Sequence, residues 1–316
     1  MNRKEISIKR FPPTSRRLLG GLVLSLAALT AAPLATTSQA AHPQAKPTIN
    51  IGENNFAESE IIGDMYSLLL QKHGFGAKLH VLGSEPALPT TALRRGDLDI
   101  FPEYTGTGLQ VLGITRIVTS PTTAYNTVKN QYAQRFHITW LQQSAFNDTN
   151  GVAVTQATSR KYGLHTLSDL AKVAKNLTFA ALSGCKGRPD CLGGFQSAYG
   201  IQFKTINYLD STPLRYSALK NGQADAIEVF TTDAPIQADH LVVLADNKHA
   251  VFPADHIAPL VRNVVLQKNP EIRTILDPLA RYLTTGAMIK LNGQVILQSQ
   301  DAMNVARTFL KSKHLL

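Results

Sequence analysis

Between residues 48 and 101, two patterns of apolar and polar residues alternate along the chain. Short runs with the composition of strands are followed by segments in which apolar residues recur every three or four positions, as along one face of a helix. Strands that alternate with helices predict an α/β fold with a mainly parallel sheet flanked by helices. In chain order, the predicted elements are strand 48–52, helix 58–73, strand 79–82, helix 85–95 and strand 98–101, which we expect Pro102 to end.

A short segment occurs twice in the chain. The sequence ALRRGDLDI at 92–100 recurs as ALKNGQADA at 218–226, an offset of 126 residues. Each copy has the features of a helix end, a terminating glycine and a short strand. Chance recurrence of this pattern is one explanation, and two lobes of similar architecture are the other. At the same offset Tyr104 corresponds to Phe230, so each lobe would place an aromatic ring at the carboxyl end of a strand, where open α/β sheets bind ligands.

Two further strand patterns, at 152–155 and 257–265, are predicted to carry the chain from one lobe to the other and back. The resulting hypothesis assigns 48–152 and 256–316 to lobe 1 and 153–255 to lobe 2. Segments 270–287 and 299–312 have helical periodicity and are expected to pack on lobe 1.

The first 40 residues have the pattern of a cleaved signal peptide. Basic residues precede an apolar run at 18–32, and Ser38-Gln39-Ala40 offers a small-x-small cleavage site. The run is about 15 residues long, shorter than the roughly 20 that a membrane-spanning helix needs. We therefore expect export to the periplasm, with 41–47 as a disordered leader. A twin-arginine-like Ser15-Arg16-Arg17 leaves the export route open.

The formal charge of the whole chain is +10, but part of it belongs to the N-terminal segment. Residues 1–40 carry six basic and one acidic side chain, so the remainder has a formal charge of +5. The remaining Lys and Arg residues are dispersed, without the basic clusters and interleaved aromatics of a nucleic-acid-binding surface. We therefore expect no nucleic-acid partner.

The two cysteines, Cys185 and Cys191, are separated by five residues, unlike the CxxC spacing of zinc and thioredoxin sites. In an oxidising periplasm the expected product is a disulfide. Closing so short a loop stabilises the fold by about 2 kcal/mol in the chain-entropy model. The loop contains Arg188, so it serves either to position this side chain or only as a surface staple.

Three segments resemble a known family. GENNFAE at 52–58, GDLDIFPEYTGT at 96–107 and APLVR at 258–262 are similar to the osmoprotectant-binding proteins of betaine, choline and carnitine importers. The resemblance spans nearly all of the chain after the signal peptide. It implies a two-lobed type II periplasmic-binding-protein fold and a monomer that captures a quaternary-ammonium osmolyte for an inner-membrane ABC permease, with no cofactor and no chemistry.

The resemblance also implies a ligand site. In this family a quaternary ammonium lies among aromatic rings, each contributing roughly 0.5 to 2 kcal/mol, and a carboxylate tail is held by basic and hydroxyl groups. By motif, Tyr104 matches a cage ring, Thr107 a tail contact and Arg188 the carboxylate-binding arginine. Each has a structural alternative: Tyr104 as a core residue, and Arg188 as a surface partner of Asp190.

Four positions depart from the family pattern. Asn54 stands where lysine is common, Asn150 and Asp255 where rings are expected, and Phe230 where tyrosine is expected. The depleted cage weakens a tight betaine site and favours a different amine, a polar osmolyte or a low-affinity betaine site. Asp255 could also simply cap a turn.

Other functions are less well supported. The sequence has no Gly-x-Ser-x-Gly elbow, His-Glu-x-x-His pair or phosphate loop, so an enzyme is not expected. A metal receptor is a weaker alternative, built from His240, His249, Asp255 and His256. The main alternative is a receptor of the same fold for another solute, such as a cationic amino acid or a histidine-derived betaine.

Overall fold

The computed structural model describes residues 46–83 and 85–316. The predicted signal peptide and residues 41–45 of the predicted leader lie outside the described residues. The last two leader residues contact the folded part: Lys46 Nζ lies 3.1 Å from Glu271 Oε1, and the carbonyl of Pro47 accepts a 3.1 Å hydrogen bond from the amide of Gly76. No helix in the described part is long and apolar enough to cross a membrane.

The described residues contain ten strands, thirteen α-helices and three 3-10 helices. The strands are β1 Thr48–Asn54, β2 Gly76–Leu82, β3 Ile100–Tyr104, β4 Ile138–Trp140, β5 Asn150–Val154, β6 Thr178–Ala181, β7 Thr205–Tyr208, β8 Ala226–Phe230, β9 Val242–Val243 and β10 Ile257–Arg262. The helices are α1 Ala57–Lys72, α2 Leu88–Arg95, α3 Thr105–Val111, α4 Pro121–Phe136, α5 Gln156–Tyr162, α6 Leu167–Val173, α7 Leu192–Tyr199, α8 Thr212–Lys220, α9 Ala234–Ala238, α10 Asn263–Lys268, α11 Glu271–Leu276, α12 Thr285–Ile296 and α13 Ala302–Ser312. The 3-10 helices are Ala174–Asn176, Ser183–Cys185 and Asp277–Tyr282.

The strands form two five-stranded sheets with matching topology. The first has the order β2-β1-β3-β10-β4 and the second β7-β6-β8-β5-β9. In each sheet the fourth strand, β10 or β5, pairs antiparallel with both neighbours, and the first three strands are parallel. The prediction of an α/β fold with two mainly parallel sheets is therefore confirmed.

The repeated segment has the same role in both sheets. Gly96 (φ +87°) lies at the end of α2 and Gly222 (φ +69°) just beyond α8, each in the left-handed region that favours glycine. Asp99 then accepts a 2.9 Å hydrogen bond from the amide of Asn50, and Asp225 a 2.8 Å bond from the amide of Thr178. Each aspartate joins the central strand of its sheet to the parallel neighbour. The repeated sequence therefore corresponds to a repeated structure.

Alternate residues of the central strands face two apolar layers. Ile100 and Val261 belong to the cluster beneath α1, α12 and α13, whereas Phe101 and Leu260 face the cluster that contains Trp140. The second sheet is likewise covered on both faces. This double burial explains why the three central strands of the second sheet, β6, β8 and β5, are mostly apolar.

Several predicted boundaries differ from the structure. Pro102 does not end its strand, because β3 continues to Tyr104 and Pro102 is paired there with Pro259 of β10. The pairing of β3 with β1 is confined to Ile100, so on that side Pro102 has no ladder bond to lose.

The predicted C-terminal helix 270–287 is also wrong in extent. It is α11 followed by a 3-10 helix from Asp277 that contains Pro278, which lacks the N–H needed to continue an α-helix. A separate helix, α12, then begins at Thr285. β5 begins at Asn150 rather than Val152, and β10 ends at Arg262. The division into lobes at 153 and 255 stays a prediction.

Candidate ligand-binding site

The two strands of the repeat end at the aromatic residues that the sequence singled out. Tyr104 is the last residue of β3 and Phe230 the last residue of β8. Tyr104 is paired with Ile257 of β10, and Phe230 with Asn150 of β5. Both rings therefore lie beside the segments through which the chain passes between the sheets.

Tyr104 is held by a buried carboxyl group. Its hydroxyl donates a 2.6 Å hydrogen bond to Oε1 of Glu58, and the Tyr104 side chain is only 8% exposed. The ring of Phe56 stacks against it with 6.5 Å between centroids, and Phe56 is 42% exposed. The stacked pair of Tyr104 and Phe56 therefore contacts the buried Glu58 at one end and exposes an aromatic face at the other.

Glu58 also connects to the second sheet. Asn292 of α12 donates a 2.9 Å hydrogen bond to Glu58 Oε2 and a 3.2 Å bond to the carbonyl oxygen of Thr232, which follows β8. Gly293 beside it allows close approach, because a β-carbon there would lie 3.3 Å from Cβ of Ala234 in α9. α12 therefore bridges the two lobes.

The chain crosses between the sheets in two extended segments, 147–150 and 254–257, here called the crossing segments. The amide of Asp148 donates to the carbonyl of Asp255 at 2.9 Å, and the amide of Asp255 donates to Asn147 Oδ1 at 2.6 Å. The Asp255 carboxylate in turn accepts a 2.6 Å hydrogen bond from the amide of Gly106. A β-carbon at Gly106 would lie 2.8 Å from that carboxylate, so a larger residue there would displace the Asp255 side chain.

These acids influence one another's proton affinity. Burial raises the pKa of Asp255 to about 7, and the charges of Asp190 and Glu58 add to the rise, while Arg188 opposes it. Burial and the charge of Glu58 hold the pKa of Asp148 well above its usual range. Burial likewise raises the pKa of Glu58, against the hydrogen bond from Tyr104. The crossing segments therefore carry acids that ionise reluctantly.

Arg188 is already paired. Its Nε donates to Asp190 Oδ1 at 2.8 Å and its Nη2 donates to Asp190 Oδ2, a bidentate ion pair. Asp190 also accepts a 2.9 Å hydrogen bond from Nδ2 of Asn150, which is 2% exposed. The structure thus brings Arg188, Asn150 and, through strand pairing, Phe230 together on the second sheet.

The predicted disulfide between Cys185 and Cys191 is confirmed, with 5.4 Å between the Cα atoms. The loop packs directly on the start of α7, since a β-carbon at Gly194 would collide with the carbonyl of Pro189. Behind the sulfurs lies the buried Glu228, whose Oε2 accepts a 2.6 Å bond from the amide of Leu182.

Comparison with known proteins now identifies the family. The model for the substrate-binding domain of ABC-type glycine betaine transport systems matches residues 47–312. The chain belongs to this family. It is therefore the substrate-binding component of an ABC transport system, in a family that works outside the cytoplasm.

Individual relatives agree with the assignment. A glycine-betaine-binding protein of Pseudomonas aeruginosa is 34% identical over 311 residues, covering 95% of this chain and 96% of the relative. An ergothioneine transport permease/ergothioneine-binding protein of Helicobacter pylori is 32% identical over 259 residues, 81% of this chain but 46% of that longer protein. A crystal structure described as a glycine betaine/carnitine/choline ABC transporter matches with a TM-score of 0.76 and 30% identity, covering 84% of this chain and 99% of that one. The predicted type II periplasmic-binding-protein fold is confirmed by this match.

Two residues suggested by the family motif are less closely tied to the site. Asn54 ends β1, and its amide donates a 2.8 Å hydrogen bond to Ser59 Oγ, while its Oδ1 is buried without a partner in the described structure. Thr107 lies half-buried in the first turn of α3, three residues beyond the aromatic end of β3.

The other face of the crossing segments lines a separate cavity of about 420 Å³. Asn147, Thr149 and His256 line this cavity, whereas Asp148, Asn150 and Asp255 do not, as expected of extended segments whose side chains alternate. His249 also lines this cavity, whereas Asp255 faces Gly106. The residues suggested for the alternative metal site are therefore not all grouped together. Within the described residues, one group of three has ligand atoms close enough for a metal, namely Cys185, Cys191 and Glu228, and its sulfurs are bonded to each other.

The sequence analysis missed several residues that the fold brings to this site. Glu58 and Phe56 both lie within the family-like segment at 52–58, and Asp148 lies two residues before Asn150. The sequence predicts for Asp190 only a surface ion pair with Arg188. A sequence signal was available for Glu58, because it is a charged residue within a segment that is expected to be buried between a strand and a helix. Its partners could not be predicted, because they are distant in sequence.

Proposed function

We propose that this chain binds a quaternary-ammonium osmolyte of the glycine betaine, choline and carnitine class in the cleft between its lobes and delivers it to a membrane permease. The observation that carries the proposal is the placement of Tyr104 and Phe230 at equivalent strand ends, next to the acids of the crossing segments. Aromatic faces and carboxylates both attract an onium ion, which cannot donate ordinary hydrogen bonds.

Each site residue has a proposed role. Tyr104 and Phe230, with Phe56 at the rim, offer ring faces to the onium group, while Asp255 and Asn150 form polar walls. Asn54 and Thr107 extend the polar lining on the first lobe. Arg188 contributes through its pair with Asp190. All lie on or beside the strand ends and crossing segments, which supports a shared site.

A histidine-derived betaine is the second candidate ligand. It is favoured by the 32% identity to the protein named for ergothioneine binding. Such a ligand carries the same onium group and an additional ring, so it would use the same aromatic faces.

The cellular setting is part of the proposal. The charged and apolar pattern of residues 1–40 supports export by a cleaved signal peptide to the periplasm. There the protein would act as a monomer with an inner-membrane permease and its ATPase, without catalysing a reaction.

Calorimetric titration with glycine betaine, choline, carnitine and ergothioneine tests the function. Tyr104→Leu and Tyr104→Phe both lose the bond to Glu58, but only the first loses the ring, so it should weaken onium binding by up to about 2 kcal/mol, or about thirtyfold, relative to Tyr104→Phe. Phe230→Leu should have a similar effect. Tyr208→Leu, at an exposed tyrosine of β7, is the matched control and should change nothing.

Two results would contradict the proposal. Equal affinity of Tyr104→Leu and Tyr104→Phe would remove Tyr104 from the cage. Tight binding of free arginine, with no onium compound bound, would reject the osmolyte function while leaving the transport family intact.

A further inference from the structure

One side-chain amide connects the two lobes beside the proposed aromatic site. Nδ2 of Asn292, in α12, donates to Glu58 Oε2 at 2.9 Å and to the carbonyl oxygen of Thr232 at 3.2 Å. All three residues are buried, so water does not compete for either contact. A single amide group therefore holds a side chain of α1 and the backbone that follows β8.

The contact with Glu58 leads to the first ring. Glu58 Oε1 accepts the 2.6 Å hydrogen bond from the hydroxyl of Tyr104, while Oε2 accepts the bond from Asn292. The carboxyl group is therefore held by a donor on each oxygen. A shift of Asn292 would be passed on to Tyr104 through this one group.

The contact with Thr232 leads to the second ring. The turn that contains Thr232 is closed on itself, because the amide of Phe230 donates to Asp233 Oδ2 at 3.0 Å and the amide of Asp233 donates to the carbonyl of Phe230 at 2.9 Å. The amide of Thr232 also donates to Asp148 Oδ1 at 3.2 Å. The carbonyl that Asn292 contacts therefore belongs to the same short, closely bonded unit as Phe230.

The partners of Asn292 also fix the orientation of its amide. A backbone carbonyl can only accept, so a flipped amide would place Oδ1 against the carbonyl oxygen of Thr232. In the observed orientation Oδ1 is buried without a partner in the described structure. An unpaired buried acceptor lowers stability, so the two donations, rather than packing, explain an asparagine at this position.

From this arrangement we infer that Asn292 is a positioning residue for the proposed aromatic site, which sets the rings of Tyr104 and Phe230 relative to each other. The inference rests on the proposed function, because that function assigns both rings to one ligand. A ring attracts an onium ion only when the ion lies over its face within about 6 Å of the centroid. A small displacement of one lobe against the other therefore changes the affinity.

Asn292→Leu tests the inference, because leucine has nearly the same shape as asparagine and removes both donations. Calorimetric titration with glycine betaine and choline should show affinities lower by about three- to tenfold. Asn269→Leu is the matched control. Asn269, just beyond α10, also donates from Nδ2, at 3.1 Å to the carbonyl of Val265, and its replacement should leave both affinities unchanged.

A double-mutant cycle distinguishes positioning from a general effect on the fold. In a Phe230→Leu background only one of the two connected rings remains, so adding Asn292→Leu should weaken binding by less than about twofold. A general loss of stability would weaken binding by the same factor in both backgrounds. Equal factors with and without the Phe230 ring would overturn the inference.

Gly293→Ala keeps the inference testable if the buried leucine prevents folding. A β-carbon at Gly293 would lie 3.3 Å from Cβ of Ala234 in α9, so α12 must move slightly away from the second lobe. Alanine also favours the helical conformation. The variant should therefore melt no lower than the unchanged protein, yet bind glycine betaine and choline about twofold less tightly or weaker.

The outcomes separate the two proposals. If Asn292→Leu folds and binds both onium compounds as tightly as the unchanged protein, or if Asn292→Leu does not fold and Gly293→Ala binds them unchanged, the positioning role is overturned while the osmolyte function stands. If the unchanged protein binds neither compound, the proposed function fails and the inference fails with it.

Discussion

Replacing Glu103 with Gln should change how the stability of this protein depends on pH. Glu103 is the residue before Tyr104 in β3 and is 2% exposed. Its Oε1 accepts a 2.8 Å hydrogen bond from the amide of Tyr104, while its Oε2 is buried without a partner in the described structure. Burial, with a smaller contribution from the charge of Asp255, raises the pKa of Glu103 from 4.5 to about 8.

The sign and size of the effect follow from the raised pKa. The folded protein binds the Glu103 proton more tightly than the unfolded chain, so this group contributes most below about pH 4.5 and its contribution falls as the pH rises toward about 8. A pKa difference of this size sets a ceiling of about 4 to 5 kcal/mol on the stability lost over that range. Glutamine cannot ionise, so the variant does not lose this stability over the same pH range.

Urea unfolding of Glu103→Gln and the unchanged protein at about pH 5, 6, 7 and 8 measures the difference. At about pH 5 the two proteins should differ by no more than about 1 kcal/mol, because protonated Glu103 and the glutamine amide both leave a polar hydrogen without a partner at the site of Oε2. The variant should become the more stable of the two as the pH rises toward about 8. Glu85→Gln, at an exposed glutamate, is the control and should run parallel to the unchanged protein. A constant difference between Glu103→Gln and the unchanged protein across the range would refute the reasoning.

Three other predictions follow from the fold. Asp225→Ala should lower the free energy of unfolding by about 1 to 3 kcal/mol, because the amide of Thr178 loses its acceptor; equilibrium unfolding checks this, and an unchanged midpoint would contradict it. Reduction of the disulfide, or Cys185→Ser with Cys191→Ser, should weaken ligand binding more than it lowers the melting temperature, since the loop holds Arg188; equal affinity before and after reduction would leave only a staple. Saturating ligand should reduce the radius of gyration in small-angle scattering as the lobes close, and an unchanged radius would argue against a closing cleft.

The fold was largely predictable because its signals are local. Each signal depends on a short stretch of sequence. Examples are the amphipathic spacing within α1, the left-handed glycine after α2 and its repeat after α8. The boundaries that failed depended on neighbours. Whether Pro102 ends a strand is decided by the strand on its other side, and that strand is far away in sequence.

The grouping of the candidate site residues was predictable only in part. The sequence, with the family resemblance, picked out Tyr104, Phe230, Arg188 and Asp255, but not the acid beneath Tyr104. Glu58 and Tyr104 are 46 residues apart and Gly106 and Asp255 are 149 apart. Side-chain partners over such distances are decided by how the two sheets are joined.

The sequence by itself therefore determined the order of strands and helices, the internal repeat, the cysteine pair and the family, because each is encoded by short-range pattern and residue type. Only the tertiary structure decided that Arg188 is already engaged by Asp190 and that acids from α1, the disulfide loop and the crossing segments converge. The physical reason is that charge balance and desolvation belong to a site assembled from distant segments. They exist only once those segments are brought together and water is excluded between them.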